Sequence, residues 1–325
     1  MAVRGTDYVL KRLFFALITV FVAVTINFVL FRLLPGSAVS NLARVPHASP
    51  ALKAELTREF GLDKPMWQQY VIYLGQLAHL HMGVSWVSDS HQPVWAYLRG
   101  KLANTIPMAA LGTAVAIVIG IGSGVVSAWR RGSKTDHIST NIAIAFYAFP
   151  TQWLALMLLI LFAGVLPANG MHDPFLASDV GGWTRFIDTM RHMALPSLAF
   201  ALTLYGEFTL IVRSAMLETL GEDYVLTARA KGLSSWGVVR THATRNAMLP
   251  TTTLIALSLG YIVAGAILIE TVFTWPGIGL ATYQAVVSQD YPVLQGAFLV
   301  LTISVVFFNL LADLIYFKLD PRISA

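Results

Sequence analysis

Few side chains in this sequence are spaced to do covalent chemistry. Gly122-Ser123-Gly124 has the outline of a serine nucleophile turn, but it lies in an apolar helical run with no histidine nearby in sequence. Helix packing is the simpler reading for it. No two of the eight histidines form an i,i+4 metal pair with a carboxylate helper, and His79 and His81, two apart, face different ways on a helix. Neither H-E-x-x-H nor G-x-x-x-x-G-K-[ST] occurs, so a zinc-hydrolase pair and an ATP phosphate cradle are both missing from the chain. What remains is sparse charge inside apolar runs: Glu207, Arg213, Glu270 and Asp313. An ionisable residue at membrane depth is a functional candidate by default. Glu207 and Arg213 are six residues apart and do not stack on one face, and Glu270 and Asp313 sit near run ends, where capping or helix pairing suffices. Glu207, Glu270 and Trp275 are the candidate substrate-pathway residues.

The elements that position these groups are set by composition. Of 325 residues, 56% are apolar and 12% charged, against roughly a quarter charged in a soluble domain. The expected class is an all-α integral membrane protein. A span needs about 20 mostly apolar residues, and six segments qualify: Leu13–Leu33, Thr105–Trp129, Ile138–Val165, Pro196–Leu217, Met248–Thr271 and Val293–Phe317. The first is longer than a signal-peptide core and reads as a retained anchor. Cysteine is absent, which excludes a disulfide framework and Cys-based metal sites. The net charge of +5 marks the cytoplasmic side of a membrane protein rather than a nucleic-acid surface. Arg4, Lys11, Arg12, Arg130, Arg131, Lys134, Arg229, Lys231, Arg240, Arg245, Lys318 and Arg322 all fall on one side of the six spans, and Val272–Pro292 opposite them has no Lys or Arg. Both termini are therefore expected in the cytoplasm.

Three regions follow: residues 1–33, a cytoplasmic segment and first span; 34–104, a long outer helical segment; and 105–325, a five-helix core with a polar loop at 218–247. Within the outer segment, Ser49-Pro50 begins one expected helix that Gly61 ends, and Pro65 begins another. The apolar residues Trp67, Tyr70, Val71, Leu74, Leu77 and Ala78 share a face of that second helix. Lacking the basic polar face of a lipid-surface helix, it is expected to cap the spans. Pro150 should kink the third span, and Gly120 with Gly124 permits close helix approach.

The polar loop is built as a device. Glu222 and Asp223 suit a helix N-terminus, with Arg229 and Lys231 near the C-terminal end. Gly232 falls where a helix ends in a left-handed residue, with Leu233 able to make the accompanying apolar contact. Ser234 can cap a second helix running through Asn246, after which Leu249-Pro250 leads into span five. The alternative is an ordinary solvated loop.

The pattern DYVLTARAKGL…RTHATRNAMLP (Asp223–Pro250) resembles the cytoplasmic "EAA" loop of permease subunits in binding-protein-dependent ABC importers. FRLLPGS, FGLDKPMWQQY, PMAALGTAVAIVIGIGSGVVSAWRRGS, ETVFTWPGIG, QDYPVLQG and NLLADLIYFKLDPRI extend the likeness over most of the chain, to the B-type permease of the oligopeptide/dipeptide/nickel branch. The general Glu-Ala-Ala appears here as Leu226-Thr227-Ala228. Least typical are Ala38–Pro50 and Met171–Arg191, both on the expected outer side. The resemblance implies a multi-pass transport subunit of a prokaryotic inner membrane, not an enzyme, forming half of a translocation pathway. Asp223, Tyr224, Thr227, Ala228, Arg229, Ala230, Lys231, Gly232 and Leu233 would then couple it to a cytoplasmic ATPase. It further implies a second homologous permease, one or two ABC ATPases that bind ATP and Mg, an external solute-binding protein and the lipid bilayer as partners, with no cofactor in this chain. Peptide is the implied cargo, and nickel, glutathione or a haem-related cargo on the same machinery is the alternative. From other classes, a proton-coupled carrier and a membrane-embedded enzyme stay open on the residues alone.

Overall fold

The computed structural model describes residues 2–33, 57–58, 63–85, 92–177, 179–262 and 266–319. The expected helix from Ser49 to Gly61 lies outside these, apart from 57–58. Among the described residues the chain is helical without a β-strand, and a lone antiparallel bridge joins Val84 to Pro93.

Helix α1 (Ala2–Leu33) covers the first expected span and its N-terminal flank. Its outward residues Phe14, Leu17 and Phe21 are more than half exposed, which is tolerable only where lipid or a partner is the solvent. Helix α2 (Met66–Ala78) starts after Pro65 and packs on α1, with the Phe28 ring against Tyr70 and Tyr73 and the Tyr70 hydroxyl 2.7 Å from that of Thr25. Trp67 and Val71 remain exposed, so the contact face is narrower than the apolar spacing predicts.

Helices α3 (Val94–Trp129) and α6 (Gly182–Thr219) form the frame. They pack closely because glycine removes the side chains between them. A Cβ on Gly120 would lie 2.6 Å from that of Phe208, and one on Gly124 2.7 Å from that of Val212. Gly122, on the other side of α3, faces open space. Since α3 runs unbroken from Val94, the position between 104 and 105 falls inside a helix.

The third expected span breaks rather than kinks. Helix α4 (Lys134–Ala148) and helix α5 (Thr151–Leu161) meet at 108° across Phe149-Pro150. A residue before proline is pushed out of the α region, and Phe149 takes φ −71, ψ 130. Pro150 then serves as the N-cap of the next helix. Gly206 on α6 receives the backbone and Tyr147 side chain of α4 without clearance for any Cβ.

Beyond α6 come α7 (Asp223–Ala230), α8 (Ser235–Val238), a π-helical turn (Val239–Ala243), α9 (Thr244–Tyr261), α10 (Ala266–Phe273), α11 (Ile278–Ser288) and α12 (Tyr291–Leu319). Helix α12 returns along α1: Asn27 Nδ2 donates to Gln295 O at 3.0 Å, and Arg12 pairs with Asp313 at 3.0 Å. Among the described residues four helices are long and apolar enough to cross a bilayer, or five if α4 and α5 form one span. The expected span Met248–Thr271 is divided between α9 and α10 and is not one described helix.

Candidate coupling surface and cavity

The polar loop forms two short helices on a glycine elbow. Helix α6 ends at Thr219, and only Leu220, Gly221 and Glu222 separate it from α7, so movement of one passes directly to the other. Asp223 occupies the first turn of α7 and Arg229 the last, each favourable toward the helix dipole. Gly232 has φ +84, and its N–H donates to Arg229 O at 2.9 Å. Nothing lies within 4 Å of a Cβ built there, so the backbone conformation alone requires glycine. Ser234 caps α8 by accepting from Gly237 N at 3.2 Å.

The second helix does not stop at Asn246. It passes through the π-helical turn and continues past Pro250 to Tyr261, so the coupling segment and the next apolar helix form one rod. Thr244 Oγ1 donates to Val239 O at 2.8 Å and satisfies a carbonyl in the widened turn.

Anchoring and exposure divide cleanly. Val225, Ala228 and Val238 are buried together over Leu220, while Val239, Ala243 and Ala247 pack on Val125 and Ala128 of α3 and Val212, Ala215 and Met216 of α6. Asn246 Nδ2 donates to the Tyr224 hydroxyl at 2.8 Å, tying α9 to α7. Of the expected coupling residues, Asp223, Tyr224, Thr227, Arg229, Ala230, Lys231, Gly232 and Leu233 are exposed, whereas Ala228 faces inward. The Thr227 hydroxyl is spent on Asp223 O at 3.0 Å. Leu226, Leu233 and Trp236 add apolar area to this face. Trp236 was not singled out by sequence reasoning. Its ring lies 4.9 Å from that of Trp129, whose Nε1 donates to Ser235 Oγ at 3.0 Å, fixing α8 to the end of α3.

A second group missed by sequence reasoning stiffens the frame above this surface. Arg213 on α6 gives Nε and Nη2 to the two oxygens of Asp136 at 2.7 and 2.9 Å. Asp136 also accepts from Ser127 Oγ at 2.6 Å, Gly132 N at 2.9 Å and Thr140 Oγ1 at 3.2 Å. One carboxylate therefore joins α3, the turn after it, α4 and α6. The local signal was the capping box Ser133-Lys134-Thr135-Asp136, in which Asp136 N donates to Ser133 Oγ at 3.2 Å.

The three pathway candidates separate. Glu207 is half-buried on the stripe Phe200, Thr203, Leu204, Glu207 of α6, lining a half-open cavity of about 420 Å³ that α5, α9 and α10 also line. Glu270 and Trp275 do not line that cavity. Glu270 is fully enclosed, accepting from Thr105 Oγ1 at 2.5 Å and Leu280 N at 2.9 Å, and Thr105 Oγ1 accepts in turn from Ile278 N at 2.9 Å. Gly277 and Gly279 leave room for this carboxylate, which a Cβ on Gly277 would strike. Trp275 Nε1 donates to Asn104 O at 3.0 Å, and its backbone N–H to Glu270 O at 2.9 Å. These bonds hold Thr274 at φ +50, a conformation disfavoured for a β-branched residue. Both side chains brace the turn between α10 and α11.

Among the described residues the framework is helical, with four or five stretches apolar enough to cross a membrane and a braced polar elbow, an arrangement that fits a membrane transport subunit. The model of the family "Binding-protein-dependent transport system inner membrane component" matches residues 116–325, and that of its N-terminal partner region matches 6–109. The chain belongs to this family of importer permeases, whose ATP hydrolysis resides on partner subunits. It is 37% identical to the dipeptide transport system permease protein DppB of Escherichia coli, with 98% of each chain covered. The di/tripeptide transport system permease of Pseudomonas aeruginosa is 35% identical, again over 98% of each. A putative peptide permease of Brucella ovis is 39% identical over 97% of this chain and 98% of its own. The chain is thus a multi-pass inner-membrane permease subunit of an ATP-driven importer.

Proposed function

We propose that this permease carries short peptides, forming one half of a translocation pathway with a second homologous permease as the other half. One or two cytoplasmic ABC ATPases, binding ATP and Mg, dock on the α7–α8 face, and an external solute-binding protein delivers the cargo. The chain crosses the membrane six times with both termini in the cytoplasm. Full-length likeness to permeases named for dipeptides and di/tripeptides carries the cargo reading. The exposed rim of Asp223, Tyr224, Leu226, Arg229, Lys231, Leu233 and Trp236 on a firmly anchored base supports the docking reading, because a lever must present contacts without yielding. ATP-driven closure of the ATPases would drive α7, and through the three-residue link α6, between two arrangements. Switching of this kind requires contacts that differ between the two states.

Co-purification of the complex through a tag on this chain, followed by reconstitution in proteoliposomes, tests the proposal. Dialanine should accumulate only with ATP and the loaded delivery protein. Accumulation driven by a proton gradient without ATP would contradict it, and uptake of nickel, glutathione or a haem compound in place of peptides would reassign the cargo.

A further inference from the structure

Among the described residues, Glu207 is the one charged side chain lining the cavity between α5, α6, α9 and α10. The surrounding surface is built mainly from Phe200, Leu204, Leu254 and Leu257, with hydroxyls from Thr151, Thr203 and Ser258. Its volume of about 420 Å³ falls within the roughly 300–1,000 Å³ of small-molecule sites. Three other acids on the helices are committed elsewhere: Asp136 to Arg213, Glu270 to Thr105 and Leu280 N, and Asp313 to Arg12. Arg213, six residues along the same helix, gives two of its nitrogens to Asp136 and so does not serve as the Glu207 counter-ion. A carboxylate held against apolar walls at membrane depth is costly unless a cation joins it. The three hydroxyls in the lining can take part in hydrogen bonds but carry no charge.

We propose that Glu207 binds the free α-ammonium group of the peptide as it passes through this cavity. The inference rests on the peptide-import reading and names the group of the cargo that this chain itself recognises. The ammonium is the one cation that every unblocked peptide carries whatever its side chains. A carboxylate that reads it, in a cavity whose other walls are apolar and uncharged, admits varied side chains while requiring a free N-terminus. The Thr203 hydroxyl donates to Ala199 O at 2.9 Å and keeps lone pairs that can accept from a peptide N–H, and Thr151 and Ser258 add two more hydroxyls to the lining.

Dialanine is the probe, because its α-ammonium is its only cation. In the reconstituted complex, Glu207→Gln should lower ATP-driven dialanine uptake at least tenfold, with complex yield and ATP hydrolysis without peptide unchanged. Glu207→Asp should restore part of the uptake. Saturation-transfer NMR on the complex without delivery protein supplies a direct reading. Dialanine should give a signal with the wild type that Glu207→Gln loses, while lactoyl-alanine, with a hydroxyl in place of the ammonium, should give the same weak signal with both. Unchanged dialanine uptake by Glu207→Gln, or equal loss of signal for both ligands, would overturn the assignment. Absence of ATP-driven dialanine uptake by the wild type would instead remove the peptide reading on which it rests.

Discussion

Asp136→Asn is the perturbation with the widest structural reach for its size. It keeps the shape of the side chain but removes the charge that Arg213 grips through two nitrogens at 2.7 and 2.9 Å. Removing one partner of a buried pair costs about 3–5 kcal/mol, and an exposed pair is worth about 0–1 kcal/mol. Asp136 is 3% exposed but Arg213 is 26% exposed, so water recovers part of the loss and about 2–3 kcal/mol is expected. That is too little to dismantle helices packed along their whole length by Gly120 and Gly124. It is enough to free the Asp136 end of α4 and the Arg213 end of α6 from one another. Because three residues link α6 to α7, the coupling face should lose its fixed position while the membrane core persists. In the purified complex, the variant should hydrolyse ATP at near its basal rate yet lose most of the stimulation by loaded delivery protein. Limited proteolysis should cut faster in residues 218–247. Arg213→Gln should do the same, and the double variant should lose less than the sum of the two, because neither leaves the other's charge buried alone. Normal stimulation in Asp136→Asn, or strict additivity in the double variant, would refute this account of the clamp.

Three further outcomes follow from the packing. Gly120→Val should prevent accumulation of the chain, since its Cβ would fall 2.6 Å from that of Phe208, whereas Gly122→Ala, facing open space, should accumulate normally; immunoblots of membrane fractions compare them. Glu270→Ala strands Thr105 and the N–H of Leu280, at about 1–3 kcal/mol for each unmet group, so complex yield and melting temperature should fall, while Glu207→Ala should leave both intact. With no native cysteine, an impermeant thiol reagent on intact cells should label Ser288→Cys and spare Ser234→Cys; the reverse pattern would contradict the proposed orientation.

Local rules carried the elbow. The end of α7, the left-handed Gly232 and the Ser234 cap depend on neighbours within four positions, and each is where the sequence places it. Pro150 was legible as a disruption, but whether proline bends a helix or breaks it depends on what packs around it, here Gly206 against Tyr147 and the α4 backbone. The clamp was hidden because Asp136 and Arg213 are 77 positions apart, and Asp136 reads in sequence as part of a charged turn. Glu207 and Glu270 look alike in one dimension. They differ because Thr105, 165 positions from Glu270, supplies a partner to one carboxylate while a cavity receives the other.

The most direct test of the coupling role is the ATPase stimulation of Gly232 variants. Gly232 sits at φ +84 with open space around its Cβ position, so the penalty of substitution is conformational: about 1–2 kcal/mol for a β-branched residue. Asparagine tolerates the left-handed region and serves as the conservative control. At matched complex yield, Gly232→Val should lose peptide-stimulated ATP hydrolysis and dialanine uptake, and Gly232→Asn should retain most of both. Wild-type stimulation and uptake in Gly232→Val would contradict the assignment of this elbow as the element that joins the permease to its ATPase.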